Sequence, residues 1–131
     1  MGEEALVESQ VADAIQLVKS LDTAGAAPTL AVWYFYDDAS EWRLLLAGPF
    51  FDARLPSQEP IAYSKVVEAL TNSTASSLPA SDIKLVTTQS PLAKAIRRLI
   101  NTPPNALIRA HFRSTTLNGI FIPAMIVLRS A

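Results

Sequence analysis

Asn118-Gly119 stands between two apolar-rich runs, ALIRAHFRSTTL and IFIPAMIVLRS, and restricts the fold more than any other feature of the chain. A two-residue loop of this kind adopts a type I′ turn, whose twist matches that of two antiparallel strands. The last segment is therefore a β-hairpin whose register follows from its turn. Leu117 faces Ile120, Ser114 faces Pro123, and Arg109, His111 and Arg113 face Leu128, Ile126 and Ala124. With Leu117 and Ile120 as a hydrogen-bonded pair, Ser114 and Pro123 form a non-hydrogen-bonded one, so the proline nitrogen points away from the hairpin partner. That placement predicts a sheet edge at the last strand.

Upstream, Val7, Val11, Ala14, Ile15, Val18 and Leu21 recur at helical spacing, giving an amphipathic helix over Glu3 to Leu21 that Gly25 and Pro28 end. TLAVWYFY and WRLLLAG, separated by DDASE, read as a second hairpin. GPFFDARLPSQEP, with three prolines, reads as a loop, and IAYSKVVEALTN as a helix burying Ala62, Tyr63, Val66, Val67 and Leu70. DIKLVTT is a short strand. Ser90-Pro91 caps the helix PLAKAIRRLI, whose apolar face is Leu92, Ala95, Ile96, Leu99 and Ile100.

The order is α-β-β-α-β-α-β-β. This predicts a single α+β domain over residues 1–131, built on one mixed, largely antiparallel five-stranded sheet with two or three helices on one face. The third and fourth strands are expected to run parallel through the Pro91 helix. A chain of 131 residues is long enough to bury such a core without staples.

Several chemistries are disfavoured by composition. There is no cysteine, which removes disulfides, thiol nucleophiles and Cys-ligated zinc, and the single histidine, His111, cannot assemble a His-based metal site. Four glycines and no phosphate-loop motif argue against nucleotide enzymes, and no G-x-S-x-G elbow supports a hydrolase triad. No cofactor and no metal are expected. The acidic N-terminus MGEEALVESQ lacks the features of a signal peptide, and the longest apolar run is too short to span a bilayer. A cytoplasmic protein without membrane association is the expectation.

Net charge of −1 conceals an asymmetry. Residues 1–81 carry 4 basic and 11 acidic groups, a net of −7. Residues 82–131 carry Lys84, Lys94, Arg97, Arg98, Arg109, Arg113 and Arg129 against Asp82 alone, a net of +6. The opposed halves are expected to meet within the domain or between subunits. A second reading takes Arg97, Arg98, Arg109, His111 and Arg113 as an anion-binding face for nucleic acid or another polyanion. Asp52, Asp82 and Lys84 weakly match a metal-dependent hydrolase, a third and more distant reading.

Both faces of the hairpin strands carry apolar side chains, so helices on one side leave the other to be covered by something else. Together with the lack of a complete catalytic constellation, this predicts a non-enzymatic, self-associating protein-interaction module. The homo-oligomer interface is expected at Trp33, Trp42, Ala124, Ile126 and Leu128.

Overall fold

A computed structural model describes residues 8–73 and 78–131. Helix α1 (Glu8–Thr23) leads into strands β1 (Leu30–Tyr36) and β2 (Glu41–Ala47). A single helical turn, α2 (Pro49–Asp52), and helix α3 (Glu59–Thr71) follow. Strand β3 (Ile83–Leu85), helix α4 (Pro91–Leu99) and the hairpin of β4 (Ala110–Leu117) and β5 (Ile120–Ser130) complete the domain. The residues of α1 predicted before Glu8 lie outside the described residues. GPFFDARLPSQEP is not wholly a loop, because Pro49 at a first helical position starts α2 and Glu59-Pro60 begin α3.

One mixed sheet has the order β3-β2-β1-β5-β4. All neighbours are antiparallel except β2 and β3. The expected parallel pair of third and fourth strands does not exist. β3 and β4 occupy opposite edges, and α4 with its flanking loops carries the chain from one edge to the other.

The final hairpin has the register its turn dictates: Leu117 faces Ile120, Arg113 faces Ala124 and His111 faces Ile126. Asn118 and Gly119 have φ of 49° and 78°, the two positive values a type I′ turn requires. β5 is not an edge, however; it lies between β4 and β1, with Met125, Ile126 and Val127 paired on both sides. The proline is accommodated because pairing with β1 stops at Met125 opposite Tyr34, two residues beyond Pro123. Its missing N–H falls where β1 supplies no rung, so the rule about proline holds at that residue and not for the whole strand.

Apolar side chains on both faces of β1 and β5 are explained by helices on both faces. On one side α1 (Val11, Ala14, Leu17, Val18, Leu21) and α3 (Ala62, Val66, Ala69) cover Ala31, Trp33, Leu44, Leu46, Ile126 and Leu128. On the other, Ala93 and Ile96 of α4 cover Val32, Tyr34, Leu45, Ile122, Met125 and Val127. The expectation of helices on one face alone is thus corrected: α4 crosses the second face. Val67 of α3 and Leu99 of α4, assigned to buried faces by periodicity, are exposed. Short helices on a twisted sheet bury narrower stripes than a full period, and Ala69 and Ala93 take those places. Among the described residues no helix is long and apolar enough to cross a membrane.

Candidate functional site

The two sheet edges are finished differently. β3 has only three residues, and the outward amide of Leu85 donates to the Tyr63 hydroxyl at 3.0 Å, so α3 closes that edge. β4 has eight residues. The hydrogen-bonded Leu117–Ile120 pair leaves the Thr116 backbone outward, but beyond Ser114 the alternation reverses. The Leu46 carbonyl accepts from the Val86 amide, so the β2–β1–β5 register turns Met125 and Val127 toward β4, and Ala110 and Phe112 bond β5 while His111 points outward. The outward backbone groups of His111 and Thr116 make no hydrogen bond among the described residues. Unpaired strand edges are templates for another strand, and natural sheets usually shorten, twist or cover them. Here the ladder is open beside half-buried Phe112 and Leu117, and the hairpin tip adds Phe121, 55% exposed. Ser114, with φ of 47°, interrupts the extended backbone in mid-strand and reverses its alternation without shifting the register, so that Ala110, Phe112 and Leu117 share one face.

The residues proposed from sequence as an anion-binding face are divided by the sheet. Arg109, His111 and Arg113 lie on the α1 side, where the Arg109 guanidinium pairs with Glu8 at the start of α1. Arg97 and Arg98 lie on α4, across the sheet, and with Lys94 and Asn101 line a shallow concavity. They form no single surface with the β4 cations. His111 lies beside Trp42 and Ile126 in a small depression of that first face.

The interface candidates have mostly become core. Trp33 and Leu128 are fully buried, Ala124 and Ile126 nearly so, and Trp42 is half-buried with its ring 5.3 Å from that of Phe35. The stripe of α1 packs on Trp33, Ile126 and Leu128 from within the chain, so these side chains offer no apolar face for a second subunit.

Asp52 and Asp82 stand at opposite ends of β3. The Asp52 carboxylate accepts from the Thr88 amide at 2.9 Å and from the Thr88 hydroxyl, which ties α2 to the segment after β3. Asp82 is held above the ordinary carboxylate pKa by partial burial, against the opposing pull of Arg43 and with a smaller push from Glu41. The Lys84 ammonium lies over the Tyr36 ring, 5.5 Å from its centre. These three side chains do not converge, and no group of three potential metal ligands occurs among the described residues. Sequence reasoning missed the β4 edge because it gave that position to β5. The signal was present in ALIRAHFRSTTL, a run with no proline and no lysine to blunt an edge. Compared with protein-family models, curated proteins and solved structures, the chain matches none.

Proposed function

We propose that this chain is a non-enzymatic protein-interaction module that receives an added strand at the open edge of β4. The observation that carries this reading is the contrast between the two edges: β3 is short and capped by Tyr63, whereas β4 is long, and the outward backbone groups of His111 and Thr116 find no partner among the described residues. Strand addition supplies affinity through main-chain hydrogen bonds and selectivity through alternate side chains.

A second copy is the partner to which the geometry is best suited. Antiparallel pairing of β4 with the β4 of another copy is self-complementary about a two-fold axis. Centred between Arg113 and Ser114, where the alternation reverses, it sets the outward backbone of His111 against that of Thr116 and places Phe112 opposite Thr115, with no two basic residues opposed. The burial of Trp33, Ile126 and Leu128 favours edge pairing over face-to-face packing as the mode of self-association.

Sedimentation equilibrium of the full chain at tens of micromolar tests this reading. A dimeric mass is expected, reduced to monomer by Thr116→Pro, which removes an outward N–H without breaking a rung to β5. Retention of the wild-type circular dichroism and melting temperature by the variant separates lost association from lost folding. A monomeric wild-type mass refutes self-pairing, and a dimer indifferent to the substitution refutes the edge.

A further inference from the structure

The described arginines fall into two groups. Arg43 pairs with Glu41 and donates to the Ser81 carbonyl, Arg54 donates to the Phe50 carbonyl and stacks on its ring, Arg109 pairs with Glu8, and Arg129 pairs with Asp22. Arg113 is also engaged. The side chains of Arg97 and Arg98 have no hydrogen-bonding, ionic or ring partner among the described residues, and neither has that of Lys94. All three are exposed on α4 at positions i, i+3 and i+4, so they project from one side of the helix and repel one another. With Asn101 they line a concavity of about 300 Å³ that includes no carboxylate.

Arg97 also borders a second, larger depression of about 610 Å³, whose wall includes Thr29, Asp52 and Thr88. The two are thus contiguous at Arg97 and differ in chemistry: three cations and an amide on one side, and two threonines and a carboxylate set among Pro49, Pro104 and Ala131 on the other. The geometry points to a binding site for a small phosphate monoester with a hydroxyl-bearing body. Lys94, Arg97 and Arg98 hold the phosphate, whose three terminal oxygens match guanidinium and ammonium donors. The Asp52 carboxylate repels a phosphate and accepts from hydroxyls. Two of its lone pairs are already used by Thr88, and those remaining can accept from hydroxyls of the ligand body. This polarity sets the direction in which the ligand lies. The site is separate from the β4 edge and does not depend on the reading given for it.

Calorimetric titration of the full chain with ribose 5-phosphate, inorganic phosphate, ribose and a single-stranded oligonucleotide of about ten residues tests the site. Ribose 5-phosphate is expected to saturate at one per chain and to bind at least about tenfold more tightly than inorganic phosphate, with ribose alone not detected. Arg97→Gln with Arg98→Gln, both at exposed positions, is expected to weaken it by about tenfold or more, whereas Lys19→Gln, on α1, leaves it unchanged. Four results overturn the proposal: no saturable binding; equal affinity for inorganic phosphate; affinity unaffected by the double substitution; or tighter binding of the oligonucleotide with a steep salt dependence, which marks an electrostatic track for nucleic acid instead.

Discussion

The guanidinium of Arg129 has no exposed surface, yet each of its nitrogens is engaged: it donates to both carboxylate oxygens of Asp22 at 2.8 and 3.0 Å and to the carbonyls of Ala106 and Pro28 at 2.9 and 3.0 Å. A buried cation without its anion is costly, so Asp22→Ala is expected to destabilise the fold by about 3 kcal/mol, seen as a lower urea midpoint at unchanged slope. Asp82 poses the opposite case. Burial raises its pKa above the unfolded value, so the folded state binds the proton more tightly and ionisation at higher pH costs stability. Asp82→Asn is therefore expected to be more stable than wild type at pH 7, with the difference vanishing as pH falls below the carboxylate's unfolded pKa. An equal advantage at every pH would show that the substitution acts through packing. Neither behaviour was legible in the sequence, where Arg129 and Asp82 are charges like any other; burial, which decides both, depends on which segments fold over them.

At the scale of elements, legibility followed the range of the forces involved. The β4–β5 register was fully readable, because the Asn118-Gly119 turn fixes it within a few residues. The start of α4 was readable for the same reason: the Ser90 hydroxyl accepts from the Ala93 amide, and Pro91 holds the first turn. Ser90→Ala is expected to cost about 1 kcal/mol in thermal or chemical unfolding. What could not be read was which strand neighbours which. Pro123 correctly reported that no donor is needed on its far side, but β1 ends its pairing two residues short of it, and nothing local reveals that. Pro123→Thr therefore adds an amide facing no strand, and a change in stability within about 0.5 kcal/mol is expected. A large gain would mean that β1 and β5 can pair further than they do. The sequence also showed that the sheet is apolar on both faces but not that α4, with only Ala93, Ala95 and Ile96 buried, crosses to cover the second one.

Across the whole molecule, the charge asymmetry between the two parts of the sequence is partly resolved within the fold. Glu8 meets Arg109 and Asp22 meets Arg129, each pair joining the acidic part to the basic one. The α4 cations stay outside this exchange, and the open β4 edge lies apart from the buried side chains that the sequence first offered as an interface. The candidate residues were thus individually visible in the chain, while their grouping was not, because the sheet order separates Arg97 and Arg98 from Arg109, His111 and Arg113. The claim that β4 is an interaction edge is tested most directly by amide hydrogen exchange, residue by residue, at two protein concentrations spanning the association. In dilute protein the amides of Ala110 and Phe112, bonded to β5, should exchange slowly, and those of His111 and Thr116 rapidly. Protection of these two outward amides on concentration is the expected result; their continued rapid exchange while the mass of the particle rises would place the interface elsewhere and contradict strand addition at β4.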